Sequence, residues 1–209
     1  MKVVALNGSP HVDGNTYFAL SVIQEQFREN NVEMDIMQLG TQKIQGCMGC
    51  NQCGERKDGK CVINTDMVNP LLGHIKDADG LILASPVYYG GVNGTLKSAL
   101  DRLFFVNFTN GGLFRHKVGA SVVALRRSGA VSAFEEMNRY FLNSDMIVTG
   151  SNYWNIIHGL DKGDATNDAE GIQCLRVLAN NMAWVIKSLD AARDSSPSSA
   201  EKVFTNFVR

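Results

Sequence analysis

The sequence lacks any long hydrophobic run, since no apolar segment approaches the roughly 20 residues that a membrane-spanning helix requires. Residues 1–6 also lack the basic region and cleavage site of a secretory leader. The sequence also has no large excess of charge of one sign, because 20 Lys and Arg are balanced by 21 Asp and Glu. The net charge of −1 gives no general attraction for nucleic acid or anionic lipid. These absences predict a cytoplasmic protein with no membrane and no nucleic acid among its partners.

Disorder is excluded too, because 44% of the residues are hydrophobic and only 20% are charged. Short apolar runs alternate with stretches of helical periodicity, which is typical of strand–helix–strand units around a parallel sheet. The predicted strands cover residues 3–6, 32–39, 80–84, 118–125 and 146–149. The runs at 81–84 and 122–125 are continuously apolar, as expected for strands buried on both faces, whereas 32–39 alternates and suits a sheet edge.

One domain is expected over residues 1–190, with a glycine-rich insertion at 40–65 and a C-terminal tail at 191–209. The helix before the third strand is expected to begin between Asp66 and Asn69, both of which can cap it. The tail joins a Ser-rich linker to apolar side chains that can dock on this chain or on a neighbouring subunit: Val203, Phe204, Phe207 and Val208.

The loop after the first strand, residues 7–16, is rich in Gly, Ser and Asn and runs directly into a helix. Such a loop exposes backbone N–H groups at the carboxyl end of a strand, and the helix adds unpaired donors and a positive dipole end. Ser9, Asn15 and Thr16 can add side-chain donors. The loop has no lysine of Walker type and no G-x-G-x-x-G pattern, so it favours a monophosphate. A tight turn that only caps the helix is the alternative.

The loop after the third strand begins with Ser85 and Pro86 and carries Tyr88, Tyr89 and several glycines. Ligands of doubly wound sheets bind at the carboxyl ends of the strands that flank the topological switch point. In a sheet of order 2-1-3-4-5, these are the first and third strands. Both loops are therefore expected to face one crevice.

The two loops together closely resemble those of the NADPH-dependent FMN reductase family of flavodoxin-like proteins. The resemblance rests on Asn-Gly-Ser-Pro-x-x-x-Gly-Asn-Thr at 7–16, Ser-Pro-Val-Tyr-Tyr-Gly at 85–90 and Leu-Lys-Ser-Ala-Leu-Asp-Arg at 96–102, and it covers about residues 1–190. It implies an α/β fold of flavodoxin-like type, a three-layer sandwich around a five-stranded parallel sheet in the order 2-1-3-4-5.

The resemblance also implies FMN as cofactor. The residues that would hold its phosphate are Ser9, Gly14, Asn15 and Thr16, and those that would lie against its ring are Pro86, Val87, Tyr88, Tyr89, Gly90 and Gly91. His11 stands where the family commonly has arginine. Because imidazole titrates near neutrality and guanidinium does not, we expect weaker and pH-dependent neutralisation of the phosphate.

Four of the five cysteines share one short segment: Cys47, Cys50, Cys53 and Cys61, spaced C-x2-C-x2-C-x7-C. A compact triplet of this kind lets one loop wrap three thiolates around a cubane, with the fourth supplied from further on. The segment resembles that of iron-sulfur flavoproteins, which implies a [4Fe-4S] cluster. Bare thiols or a disulfide are the first alternative, and zinc is the second, although zinc sites usually pair two separated knuckles.

The resemblance implies an enzyme that takes hydride from NAD(P)H onto FMN and passes electrons to a small-molecule or protein acceptor. Because the cofactor carries that chemistry and no nucleophile elbow is present, we assign no catalytic acid or base. An iron-sulfur flavoprotein that exchanges single electrons with ferredoxin-like partners and a non-enzymatic flavin carrier are the alternatives. A homodimer or homotetramer is implied as well, with the aromatic stretch 104–108 as candidate contact, while the role of Arg126 and Arg127 stays open.

Overall fold

The computed structural model describes residues 1–205 and 207, and this part of the chain forms six strands and six α-helices. In chain order they are β1 (Lys2–Asn7), α1 (Asn15–Glu29), β2 (Glu33–Gln38), α2 (Gln52–Arg56), α3 (Val68–Lys76), β3 (Gly80–Pro86), α4 (Gly94–Thr109), β4 (Val118–Leu125), α5 (Ala130–Leu142), β5 (Ile147–Val148), β6 (Ile156–His158) and α6 (Ala169–Ala191). Among the described residues, no helix has both the length and the apolar character to cross a membrane.

The strands form one parallel sheet in the order β2-β1-β3-β4-β5, and β6 pairs with β4 beyond β5. β1 pairs with β2 on one side and with β3 on the other. The winding of the chain therefore reverses between β1 and β3, which makes this the topological switch point. The predicted α/β fold and strand order are confirmed.

The fifth position of the sheet is split between two short strands, which the sequence patterns did not predict. β5 pairs only with Val118 and Gly119, and β6 resumes the pairing at Val123. Asn155 bridges the gap, since its side chain donates to the carbonyl of Ser121 at 3.1 Å and its own carbonyl accepts from the N–H of Val123 at 3.0 Å. With three residues, β6 is too short to show an alternation or an apolar run.

Helices cover both faces of the sheet. α1 and α6 pack on one face, and α3, α4 and α5 pack on the other, each over its own apolar cluster. β4 is buried along its whole length and β3 along all but its last residue, whereas β2 lies at the edge and is partly exposed. α3 begins at Val68, between the two predicted caps, and Asp66 accepts from the N–H of Val68 at 3.2 Å. The result is the expected three-layer sandwich.

The insertion at 40–65 packs against α4. Asn110, directly after α4, accepts from the N–H of Gly59 at 2.9 Å and donates to the carbonyl of Cys53 at 3.2 Å. Gly49 and Gly59 have φ values of 65° and 70°, a left-handed conformation in which glycine carries no steric cost. The insertion is thus a turn-rich segment held by a helix of the main fold.

The C-terminal tail contacts its own chain. Arg115 donates to the carbonyl groups of Pro197 at 2.8 Å and Ser198 at 3.2 Å. Phe204 then meets Phe108 of α4 edge to face, with ring centroids 6.4 Å apart. Val208, one of the apolar tail residues named above, lies outside the described residues. The tail therefore covers part of the aromatic stretch that the sequence suggested for a subunit contact.

Candidate functional site

The loop after β1, residues 7–16, and the loop after β3, which runs from Ser85 to the start of α4, are here called the first and second loops, and they leave the sheet side by side at the switch point. Asn7 is the register partner of Ala84, and the N–H of Gly8 donates to the carbonyl of Ala84 at 2.8 Å. The end of β1 is thus tied to β3 where both loops begin. The structure brings together the two loops that the sequence singled out.

Hydrogen bonds fix the first loop around Ser9, which is 4% exposed. The N–H of Ser9 donates to Asn7 Oδ1 at 3.0 Å, and its carbonyl accepts from the side chain of Gln38 at 2.6 Å. The Ser9 hydroxyl oxygen accepts from the N–H of His11 at 3.1 Å, so the hydroxyl proton is left to donate to a ligand. Sequence reasoning missed Gln38, because no local pattern marks a contact that is made across the sheet edge.

The start of α1 supplies the backbone donors that an anion requires. Gly14 is the N-cap in an extended conformation, and no side chain in the described part of the chain caps the helix. The N–H groups of Asn15, Thr16 and Tyr17 lie in the first turn of α1 and therefore have no acceptor within the helix. The positive end of the helix dipole lies beside them. Thr16 is 2% exposed, whereas His11 lies exposed at the rim. The geometry suits a phosphate group.

The side chain of Asn15 holds the segment after β6 against the first loop. It donates to the carbonyl of Asp161 at 3.0 Å and accepts from the N–H of Gly163 at 3.2 Å. Lys162 forms an ion pair with Asp13 beside this contact. With its amide engaged in these bonds, Asn15 has its backbone N–H left for an anion. The sequence carried no signal for this segment, which lies 148 residues away along the chain.

The second loop makes a tight turn that presents two aromatic residues to solvent. Tyr88 and Gly91 exchange backbone hydrogen bonds of 3.0 Å, and the residues between them, Tyr89 and Gly90, have φ values of 50° and 79°. Positive φ at both central positions is the mark of a type I′ turn. Tyr88 is 44% exposed and Tyr89 is fully exposed. Within the described residues, the N–H groups of Tyr89 and Gly90 have no acceptor, so they can donate to the edge of a ring.

α5 and the loop before it brace the second loop. Glu136 of α5 accepts from the N–H of Val92 at 3.1 Å. Gly129 has a φ of 90°, and a Cβ atom at this position would lie 3.1 Å from both Gly90 Cα and Val87 Cγ1. The loop between β4 and α5, residues 126–129, is here called the third loop, and it is packed so closely against the second loop that the contact requires glycine.

Tyr140 fastens α5 to α4 beside this turn. Lys97 and Asp101 pair one helical turn apart, with Nζ–Oδ distances of 2.6 and 2.7 Å, and the Tyr140 hydroxyl donates to Asp101 Oδ1 at 2.5 Å. Burial raises the pKa of Tyr140, and the hydrogen bond to Asp101 raises it further, from 10.0 to about 12. The fold thus favours the neutral phenol.

Tyr140→Phe is expected to lower the free energy of unfolding by about 1.5 kcal/mol near pH 8, the usual contribution of a hydrogen bond to a charged group. Because the folded pKa lies above the unfolded one, this contribution is complete below about pH 10 and is lost as the pH rises through about 12. Urea unfolding at several pH values measures it, with Tyr153→Phe at an exposed tyrosine as control. A constant difference between wild type and Tyr140→Phe up to pH 12 would contradict the expectation.

The four clustered cysteines line one small cavity against α4, of about 20 Å³. Cys47 and Cys50 are exposed, Cys61 is half-buried and Cys53 is 6% exposed, and all are free thiols. Arg102 of α4 reaches into the same cavity. The segment therefore gathers its thiols on one side of the helix whose N-terminus follows the second loop.

The four thiols are of the chemical type that binds a metal cluster, although their side chains do not stand at metal-binding distances from one another. Among the described residues, no three Cys, His, Asp or Glu side chains stand close enough together to hold a metal ion. Four thiols that line one cavity are nevertheless the ligands that a [4Fe-4S] cluster takes. Cys174, in contrast, is buried in α6, where desolvation raises the pKa of its thiol, as expected of a structural cysteine.

The sheet order, the switch-point loops and the uncapped helix define a class: doubly wound, flavodoxin-like α/β proteins that bind a phosphorylated ligand at the carboxyl edge of the sheet. Comparison with solved structures supports this fold. RosB, solved with the bound intermediate 8-demethyl-8-formylriboflavin-5'-phosphate, matches with a TM-score of 0.73 at 15% identity, over 100% of this chain and 92% of that chain. A flavodoxin from the domain Archaea matches with a TM-score of 0.57 at 14% identity, over 90% of this chain and 99% of that chain.

Sequence comparison then identifies the family. The model of the NADPH-dependent FMN reductase family matches residues 1–161. An iron-sulfur flavoprotein of Methanocaldococcus jannaschii is 36% identical over 194 residues, 90% of this chain and 98% of the relative. An NADPH azoreductase of a Bacillus species is 28% identical over 139 residues, 66% of this chain and 67% of the relative. The chain belongs to the NADPH-dependent FMN reductase family, and it is an FMN-dependent oxidoreductase of flavodoxin-like fold.

Proposed function

We propose that this oxidoreductase takes reducing equivalents from NAD(P)H, and that its four clustered cysteines hold a [4Fe-4S] cluster for single-electron exchange with an acceptor. The observation that carries the proposal is the placement of two features on α4. The second loop leads into α4 at Gly94, and the cysteine cavity lies against Arg102 of the same helix. At 1.5 Å per residue, about 12 Å of helix separates these two residues.

The residues of both loops fit FMN. The hydroxyl of Ser9, the N–H groups of Asn15 and Thr16 and the backbone of the N-cap Gly14 would hold the phosphate. The residues of the second loop that would lie against the ring are Pro86, Val87, Tyr88, Tyr89, Gly90 and Gly91. The unpaired N–H groups at the turn suit the polar edge of a flavin. FMN supplies the hydride and electron chemistry when bound, so the side chains need only bind it, orient it and limit the access of water.

The proposed reductant is supported by the family and by one relative. The family description and the name of the Bacillus relative both include NADPH. Arg126 and Arg127 lie exposed on the third loop, which is packed against the second loop through Gly129. Two guanidinium groups at this edge can meet the phosphates of a nicotinamide dinucleotide.

The proposed cluster is supported by the thiols and by the iron-sulfur flavoprotein relative. The residues that would hold it are Cys47, Cys50, Cys53 and Cys61. A [4Fe-4S] cluster supplies one-electron transfer, which would suit a protein acceptor of ferredoxin type. If the thiols bind no cluster, the proposed function reduces to that of a reductase of small molecules, and the relative named an azoreductase is an example of such an enzyme.

Three measurements on anaerobically purified protein test the proposal. Its absorbance spectrum should show structured flavin bands over a broad iron-sulfur shoulder, and chemical analysis should find four iron and four sulfide per chain, as a [4Fe-4S] cluster requires. Stopped-flow mixing with NADPH or NADH should bleach the flavin bands. Flavin without iron that either nucleotide bleaches would leave the simple reductase, and flavin without iron that neither nucleotide bleaches would indicate a carrier. Flavin with iron that neither nucleotide bleaches would overturn NAD(P)H as the reductant and leave single-electron exchange with a ferredoxin-like partner.

The proposed FMN site carries His11 at its rim, where an arginine would keep its charge at any pH used in a binding assay. An imidazole side chain in general offers less positive charge to a phosphate at pH 8.5 than at pH 6. We expect the Kd of wild type for FMN to rise several-fold between these values relative to the change seen in His11→Arg, since guanidinium keeps its charge. Fluorescence titration of both apoproteins measures this. Equal changes in the two proteins would show that His11 does not act on the phosphate.

A homodimer or homotetramer also stays part of the proposal. Phe104 is buried in the core of this chain, and Phe108 contacts the tail residue Phe204 but is still 38% exposed, so only part of the aromatic stretch of α4 is open to a subunit contact. Sedimentation equilibrium of the FMN-loaded protein measures the assembly. A monomer at micromolar concentration would remove this part of the proposal.

A further inference from the structure

Arg102 is the only charged residue among the largest fully buried side chains of the described chain, at 1% exposed. Its Nε donates to Cys61 Sγ at 3.3 Å. Its two terminal nitrogens donate to the carbonyl groups of Gln45 at 3.1 Å and Ile63 at 2.9 Å, and both bind the carboxylate of Asp66. One guanidinium thus ties both ends of the cysteine segment to α4.

We propose that Arg102 is a positioning residue for the cysteine centre: its Nε–H donates to the sulfur of Cys61 and thereby sets the reduction potential of the metal group that the thiols hold. This inference rests on the cluster in the proposed function and goes beyond it by naming the residue that tunes it. The guanidinium group is planar and its N–H groups point in fixed directions, which makes the contact with Cys61 specific. Because its terminal nitrogens are anchored to Asp66 and two carbonyl groups, Nε has a fixed direction toward the sulfur.

The sign of the effect follows from charge. Reduction adds negative charge to a thiolate-bound centre, and part of this charge resides on the sulfur atoms. A charge-assisted N–H donor in a buried site stabilises the reduced form more than the oxidised form, so it raises the potential. Removal of the donor should therefore make the centre harder to reduce.

Arg102→Lys tests the proposal while keeping the positive charge beside Asp66. An ammonium group has three donors on one atom, so it cannot serve Asp66, two carbonyl groups and Cys61 at once. We expect Arg102→Lys to shift the midpoint potential of the iron-sulfur centre to a more negative value, with the iron-to-flavin ratio and the flavin bands unchanged. Arg115→Lys is the matched control, because Arg115 pairs with Asp145 away from the cysteine segment.

A second measurement is made on the wild-type protein, so it does not depend on whether a variant folds. In wild-type protein labelled with ¹⁵N-arginine and reduced with dithionite, pulsed EPR should detect a ¹⁵N coupling to the centre. That coupling should disappear in Arg102→Lys where this variant folds. A residue that only braces the segment would lower stability or iron content without either signature.

The outcomes separate the two levels of inference. Wild type that binds FMN but takes up no iron on reconstitution overturns the cluster assignment and, with it, the role of Arg102. Iron-loaded wild type without a ¹⁵N coupling overturns the role of Arg102 alone. The same holds if the potential is unchanged in Arg102→Lys or shifts equally in Arg115→Lys.

Discussion

Gly40→Ala is expected to weaken FMN binding by about 100-fold or more, close to 3 kcal/mol. A Cβ atom at this position would lie 2.1 Å from the carbonyl oxygen of Ser9 and 2.5 Å from that of Gly8. Both atoms belong to the backbone of the first loop, and Gly40 also donates its own N–H to Asn7 at 3.2 Å, so neither side can yield without moving that loop. The displaced loop would lose several charge-assisted bonds to the phosphate, each of about 1.5–3 kcal/mol.

Fluorescence titration of the apoprotein with FMN measures the loss, and circular dichroism checks that the variant is folded. Gly73→Ala is the matched control, because Gly73 lies inside α3, where an added Cβ would have no described atom within 4 Å apart from its chain neighbours and the backbone of its own helix. That substitution should leave FMN affinity unchanged and raise stability by roughly 0.5–1 kcal/mol. A Kd for Gly40→Ala within threefold of wild type would show that the first loop does not hold the phosphate.

The fold was predictable where local pattern and burial agree. The predicted strand at 118–125 coincides with β4, and the one at 80–84 ends two residues before β3 does, because strands buried on both faces are continuously apolar. The split of the fifth strand was not predictable. It depends on Asn155, whose side chain replaces a strand contact through a hydrogen bond to a residue 34 positions away.

The candidate site divides in the same way. The two loops could be found from the sequence because their composition and their position after a strand are local features, and topology alone brings them together. The contacts that shape them are not local. Gln38 acts on the first loop from the end of β2, Gly40 acts on it from just after β2, and the segment that Asn15 holds acts on it from beyond β6. The burial of Arg102 was equally hidden, since Asp101 and Arg102 stand side by side in sequence and only the second faces the core.

Arg102→Met is expected to lower the free energy of unfolding by about 3–5 kcal/mol, the usual cost when one partner of a buried ion pair is removed. The Arg102 side chain is fully buried and that of Asp66 is 7% exposed. The variant leaves a carboxylate in a site of low polarity and leaves the carbonyl groups of Gln45 and Ile63 without their donor. Asp66→Asn should cost a similar amount, because it leaves the guanidinium without its counter-ion.

The double variant Arg102→Met, Asp66→Asn decides whether charge or packing dominates at this pair. If the uncompensated charge is the main cost, the double variant should be more stable than either single variant by about 1–2 kcal/mol, since a neutral pair of similar volume carries no desolvated charge. Urea unfolding followed by tryptophan fluorescence gives the four free energies of the cycle. Lys97→Met, in a half-exposed ion pair on the same helix, is the control and should cost at most about 1 kcal/mol. Additive losses in the double variant would instead assign the stability of this region to packing around the cysteine segment.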